Sequence, residues 1–178
     1  TGAGRPEWLY SYYESGEVYS VTDPEGRTTT RILDQLGRLD EVQLTTTLGT
    51  STIAQYQYDD ASNLRFSIDE FGRVTERVYD ERNRLVQLIE PDPDLPGSGL
   101  PKPITYFTYD DANNLKTLKD PNNSITEWFY DGLDRPIEEK NELADSRFYK
   151  YDKLGRVTEM TDRLDRVTQY EYNHLSQL

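Results

Sequence analysis

Tyr109, Tyr130, Tyr151 and Tyr172 stand 21 residues apart, and each except the last is followed by Asp. The chain is therefore a repeat array. Tyr58-Asp59 and Tyr79-Asp80 keep the same step, and Tyr12 to Leu33 keeps it again with Tyr13 and Asp34 in the Asp place, so eight units are visible. A fixed period of this length outranks any local reading, because one such unit cannot bury its apolar face alone.

Each unit holds two turns. Asp59, Asp69 and Asp80, then Asp110, Asp120 and Asp131, then Asp152, Asp162 and Asn173, divide the step into 10 and 11 residues. The text at these places is D-x-x-G or a variant, with glycine at Gly26, Gly37, Gly72 and Gly155. Asp opens a type I turn by bonding back to its own backbone, Pro24 and Pro121 suit the second place, and the fourth place takes positive φ. Asn83, Asn113, Asn123, Asp134 and Asp165 replace Gly with the residue types that best tolerate that region. Ser62 and Ala144 fill the same place without a reason legible in sequence.

A type I turn closed by a left-handed residue is a hairpin connection with a bulge, so consecutive strands should pair antiparallel. The predicted fold is all-β, a tandem antiparallel hairpin meander. About 15 strands of about 6 residues, spaced ~4.8 Å apart, would make a strip of about 70 Å. That exceeds what a twisted open sheet sustains, so the strip should curl or spiral into an open, barrel-like wall.

Two residues before the repeat Tyr, on the same side of the strand, come Tyr10, Tyr56, Phe107, Trp128, Tyr149 and Tyr170, interrupted by Arg31 and Arg77. Stacked strands are expected to align these into aromatic ladders. Six residues after the repeat Tyr come Val18, Leu39, Leu64, Leu85, Leu115, Val157 and Leu178, with Pro136 the exception, and these should face the Tyr across the hairpin. Val74, Ile125 and Val167 repeat the arrangement after the second turn. Leu88, Leu118 and Met160 fall out of phase with strict alternation; a bulge or a second semi-apolar face would account for them.

Leu, Ile, Val and Phe make up about 22% of the chain, near the level at which charged sequences stay unfolded. Tyrosine compensates. Fourteen Tyr and two Trp supply amphipathic contact area that a count of aliphatics misses. An array shares its core along its axis, so residues 1–178 read as a single array rather than separate domains.

Two steps are longer than 21. Between Asp34 and Asp59 the excess fits an elongated hairpin at residues 45–50, and between Asp80 and Asp110 it fits a Pro/Gly-rich loop at residues 90–103. Insertions in repeat proteins often lie on the binding face, and a plain spacer is the alternative.

No catalytic, cofactor or metal residue is nominated. With one His, His174, and no Cys, the chain cannot assemble a histidine triad or a Cys–His pair with its orienting shell. Paired carboxylates suffice for glycoside hydrolysis, but a turn role repeated along the whole chain explains the Asp residues better than a unique site does. Asp110-Asp111-Ala112-Asn113-Asn114 superficially suggests a calcium loop, yet lacks its Gly and distant Glu. The absence of Cys excludes disulfides and thiolate metal sites. A net charge of −13 opposes nucleic-acid backbones and anionic membranes as partners. Arg27, Arg38, Arg73, Arg84, Arg135, Arg156 and Arg166 follow the turns and are expected to form ion-pair ladders across neighbouring turns.

The text Tyr151-Asp152-Lys153-Leu154-Gly155-Arg156-Val157-Thr158, with Asp69-Glu70-Phe71-Gly72-Arg73-Val74-Thr75 at the alternate turn, resembles the YD repeats of RHS proteins from about Leu9 to Leu178. This family includes the B and C components of bacterial Tc toxins, polymorphic toxins, wall-associated proteins and animal teneurins. The resemblance implies a non-enzymatic scaffold, secreted or at the cell surface: shell wall that encloses a toxin polypeptide or supports an adhesion module. Its implied partners are the rest of the shell and an enclosed polypeptide. The repeat-defining residues are Tyr12, Tyr58, Tyr79, Tyr109, Tyr130, Tyr151 and Tyr172, with Asp59, Asp80, Asp110, Asp131 and Asp152. Nothing in the chain resembles the family's self-cleaving core, its plug regions or a toxin payload.

The alternative is a glycan- or protein-binding module in which exposed rings, with Trp128, Tyr149 and Tyr170 as candidates, act as stacking platforms. Met160 is the only methionine, and the sequence stops six residues after Tyr172, so an excerpt of a larger protein is expected. Such an excerpt should expose strand edges near Thr1–Tyr12 and Tyr172–Leu178 and self-associate.

Overall fold

The computed structural model describes residues 6–92 and 101–173. It is all-β, with no helix among the described residues. Contacts divide the chain into two units. The first holds β1 (Leu9–Tyr12), β2 (Val18–Thr22), β3 (Thr28–Leu33), β4 (Leu39–Thr46), β5 (Gly49–Tyr58), β6 (Leu64–Asp69) and β7 (Val74–Tyr79). The second holds residues 85–88 of β8 (Leu85–Ile89), then β9 (Ile104–Tyr109), β10 (Leu115–Lys119), β11 (Ile125–Tyr130), β12 (Pro136–Lys140), β13 (Ser146–Tyr151), β14 (Val157–Thr161) and β15 (Val167–Gln169).

From β1 to β7, and again from β9 to β15, each strand pairs antiparallel with the next. The fold is thus the hairpin meander that the turn spacing predicts. β4 and β5 are the longest strands, at 8 and 10 residues, and meet at a pair between Thr46 and Gly49. Residues 93–100 of the Pro/Gly-rich segment, His174, Leu178 and the first five residues lie outside the described residues.

The turns follow from local chemistry. The Asp152 amide donates to the Arg156 carbonyl at 2.9 Å and the Gly155 amide returns to the Asp152 carbonyl at 3.1 Å, and the same two bonds recur at 23–27, 34–38, 59–63, 69–73, 80–84, 110–114, 120–124, 131–135, 141–145 and 162–166. Residues at the fourth place carry positive φ, from 58° at Asp165 to 80° at Gly26 and Gly155. Ser62 and Ala144 share that conformation, at 67° and 65°.

Hairpins closed after a repeat Tyr carry a register shift beside it, so that two residues oppose one. Tyr109 faces Leu115, Tyr130 faces Pro136 and Tyr151 faces Val157, with the bulged residue just beyond. The extra residue resets the alternation. Leu118 thereby returns to face Phe107, and Met160 faces Tyr149. Of the two explanations for the out-of-phase residues, the bulge accounts for these two.

The expected aromatic ladders do not form. Trp128 is opposed by Glu139, and Glu139 by Arg147; among the described residues Trp128, Tyr149 and Tyr170 make no ring contact with one another. The period supplies the reason. One unit is two strands, so equivalent rings lie about 9 to 10 Å apart, beyond the 4.5–7 Å of ring pairs. No described residue is fully buried.

Candidate functional site

The residues that sequence singles out converge on the junctions between units. At the turn of residues 34–38, Asp34 Oδ1 accepts the amides of Leu36 and Arg38 at 2.8 and 2.9 Å, while Oδ2 accepts Arg38 Nε and Nη2, both at 2.7 Å. The Arg38 guanidinium lies 4.4 Å from the centre of the Tyr58 ring. The Tyr58 hydroxyl donates to the Leu39 carbonyl at 2.9 Å. Asp, Arg, Tyr and a strand-opening carbonyl thus form a relay from one unit into the next.

The relay recurs. Asp131–Arg135 holds a guanidinium 4.6 Å from the Tyr151 ring, whose hydroxyl reaches the Pro136 carbonyl at 2.6 Å. Asp152–Arg156 does the same for Tyr172 and the Val157 carbonyl, at 4.6 and 2.8 Å. The carbonyl end is also present at Tyr79 to Leu64, Tyr109 to Leu85 and Tyr130 to Leu115, at 3.0, 2.8 and 2.9 Å. Half-burial pushes the phenols of Tyr58, Tyr130 and Tyr151 up from their ordinary value. Tyr12 differs. It is 60% exposed on β1.

At two turns Asn stands in the Arg place and bridges. Asn63 Nδ2 donates to Asp59 Oδ2 at 3.0 Å and to Asn83 Oδ1 at 2.9 Å, and Asn114 Nδ2 likewise joins Asp110 and Asp134 at 3.1 and 2.9 Å. The calcium-like segment at 110–114 is therefore a turn of the common type. Arg38 Nη1 donates to Ser62 Oγ at 2.9 Å, which explains a Ser at this left-handed place: its oxygen continues the same unit-to-unit link. Nothing in the structure explains Ala144.

These contacts set the charges. The Arg135 side chain, then the amides of Leu133 and Arg135, hold the Asp131 carboxyl below the usual range; at Asp34, Asp152 and Asp162 the amide four residues on contributes most. The side chains of Arg84 and Asn63 lead at Asp80 and Asp59. At Asp110, burial alone would raise the value, and the backbone and side chain of Asn114 outweigh it.

The arginines are not the ladder that sequence suggested. Arg27, Arg38, Arg73, Arg84, Arg135, Arg156 and Arg166 each pair with the Asp of their own turn, because the bent turn brings residues one and five together. Sequence reasoning missed the stacking of Arg on the next unit's Tyr; the recurrent Arg after D-x-x-G was its signal.

Of the candidate ligand-stacking residues, Trp128 lines an open groove of about 440 Å³ with Asp110, Asp111, Asp131 and Asp134. Tyr149 faces Met160, and the Tyr170 amide donates to the Thr158 carbonyl at 2.9 Å. No cluster of His, Cys, Asp and Glu suited to a metal ion occurs among the described residues. No described helix is long and apolar enough to cross a membrane.

The family model described as Teneurin YD-shell matches residues 9–178. The chain belongs to this family. YD-shell proteins are structural shell scaffolds rather than a family of known enzymes. Among solved structures, the TcdB2-TccC3-Cdc42 complex matches with a TM-score of 0.76 and 16% identity over 94% of this chain and 10% of that one. TcdB2-TccC3 without its hypervariable C-terminal region gives 0.75 and 16% over 95% and 10%. The Tc holotoxin pore of Photorhabdus luminescens gives 0.72 and 16% over 91% and 9%. At this identity the likeness is one of fold, and the YD-shell chain spans about a tenth of their length. No curated protein matches the sequence.

Proposed function

We propose that this chain is wall material of a YD-repeat shell, working outside the cell, that encloses a polypeptide. Tyr58, Tyr79, Tyr109, Tyr130, Tyr151 and Tyr172, with Asp59, Asp80, Asp110, Asp131 and Asp152, are the residues that join unit to unit in that wall, and residues 1–178 act as a single array. The observation that carries the reading is where the polar groups go. The recurring hydroxyls, carboxylates and guanidiniums are spent on the chain's own backbone and on each other, as a wall requires, whereas a ligand site needs a distinctive set of groups aimed outward. An adhesion support would use the same wall with the contents absent. A glycan platform is the weaker reading, because its rings are set apart by intervening strands.

Native proteolysis of the full parent protein tests enclosure. A polypeptide outside the repeats should survive protease in the folded protein and become cleavable when mild denaturant opens it. If all non-repeat sequence is digested from the folded protein, enclosure fails.

A further inference from the structure

The first unit departs from the relay at all three side chains. Tyr13 stands in the Asp place, Glu17 in the Arg place, and Leu33 where the next Tyr belongs. The turn itself is intact, with the Tyr13 amide on the Glu17 carbonyl at 2.9 Å and the Gly16 amide on the Tyr13 carbonyl at 3.0 Å. What changes is the space beside it. A cavity of about 380 Å³ opens there, lined by Tyr13, Glu17, Val18, Arg31, Leu33 and Leu39 along with two turn glycines.

The position of this cavity is informative. Val18 is the counterpart of Leu39, Leu64, Leu85, Leu115, Pro136 and Val157, each of whose carbonyls takes a Tyr hydroxyl from the following unit. Leu33 has no hydroxyl to give Val18. The Tyr13 ring does not take over that role: its hydroxyl donates to the Arg31 carbonyl, and the ring stands edge-on to Tyr19 with centroids 5.1 Å apart. It forms one wall of the space, Leu33 and Leu39 supply an apolar floor, and Glu17 and Arg31 stand exposed at its mouth.

We propose that this cavity is a seat for a tyrosine side chain supplied by another polypeptide strand, its ring against Leu33 and Leu39 and its hydroxyl on the Val18 carbonyl. The occupant follows from the six seats of the same design that the chain fills with its own tyrosines. A polypeptide strand is the source, because in five of those seats the ring arrives as the last residue of a β-strand, at Tyr58, Tyr79, Tyr109, Tyr130 and Tyr151.

Titration of the ¹⁵N-labelled chain with the peptide acetyl-Thr-Tyr-Thr-amide tests the seat. Saturable shifts are expected at Gly16, Glu17, Val18, Gly37 and Leu39, and the Phe counterpart of the peptide should bind about 5-fold more weakly for want of one hydrogen bond. Leu33→Tyr, which supplies the ring internally, should lower affinity at least ~10-fold. Leu33→Phe, which fills the space without a hydroxyl, serves if the first variant does not fold. Tyr151→Phe, whose hydroxyl bonds the Pro136 carbonyl and no residue lining the cavity, should leave binding unchanged. Absence of saturable binding, equal binding of the Phe peptide, shifts centred elsewhere, or binding by p-cresol but not by the peptide would each overturn the proposal.

Discussion

The junction at Asp152–Arg156–Tyr172 and the one at Tyr13–Glu17–Leu33 share a backbone and differ in every side chain that links one unit to the next. Their turn bonds agree to within 0.1 Å, 2.9 and 3.1 Å in one and 2.9 and 3.0 Å in the other. The Asp and Arg side chains are therefore not what bends the chain. Two backbone hydrogen bonds and a residue at positive φ do that. The side chains act one step later, filling the space between units and tying a ring to a strand-opening carbonyl, and where they are missing the space opens into a cavity.

The sharpest way to break the shared part is at the left-handed residue. Gly155 sits at φ +80° with nothing within 4 Å of where a Cβ would lie, so Gly155→Val meets no clash with a neighbour and its cost is conformational. A β-branched residue in that region should lower stability by about 2 kcal/mol. Leu154→Ser, at a side chain 75% exposed, should stay within about 0.5 kcal/mol. Equal shifts of the denaturant midpoint would contradict the division between backbone and side chain drawn above.

The next effect isolates the link. Tyr151→Phe keeps the ring under Arg135 and removes the 2.6 Å bond to the Pro136 carbonyl, at a cost of about 1 kcal/mol. Tyr12→Phe, with its ring exposed, should cost almost nothing. If the two variants unfold at the same midpoint shift, the carbonyl contact contributes nothing and the recurring Tyr is retained for its ring alone.

What sequence disclosed follows the same line. The turns were legible because each is closed by residues no more than four apart, and the D-x-x-G spacing states that chemistry directly. The hairpin meander came with them. Links of longer range were not legible. Ser62 looks arbitrary until Arg38, 24 residues earlier, is seen to donate to it. Arg156 reads as one of a charged row until its guanidinium is placed over Tyr172 in the next unit. The aromatic positions were correctly spaced along the chain, yet the intervening strand sets Glu139 beside Trp128 and keeps equivalent rings apart.

Rebuilding the poor junction sharpens the comparison further. Leu33→Tyr combined with Glu17→Arg restores two of the three missing side chains on an unchanged backbone and should raise the unfolding midpoint by an amount equivalent to about 1 kcal/mol, chiefly from one hydrogen bond, since Tyr13 in the Asp place leaves the new guanidinium without a carboxylate to fix it over the ring. No change in midpoint would show that the relay adds nothing beyond the turn.

The smallest effect is in the pH dependence of a single turn. Asp152 lies below its ordinary carboxyl pKa in the folded chain, through the Arg156 amide first and the Arg156 side chain and Leu154 amide after it. A lowered folded value means that the unfolded state takes up the proton more readily as pH falls. The contribution is therefore fully present above the ordinary Asp value of about 3.9 and is lost as pH falls from there through the folded value. Asp152→Asn retains an oxygen for the two amides, as Asn141 does at 143 and 145, but gives Arg156 no charge to pair with. Between pH 7 and 5 the wild type and the variant should differ by a constant, small offset. Below about pH 4 the two midpoints should converge, because protonation removes from the wild type what the substitution has already removed. Curves that stay parallel down to pH 2 would show that the carboxylate's charge is irrelevant to this turn, leaving its backbone identical in kind to the one at Tyr13.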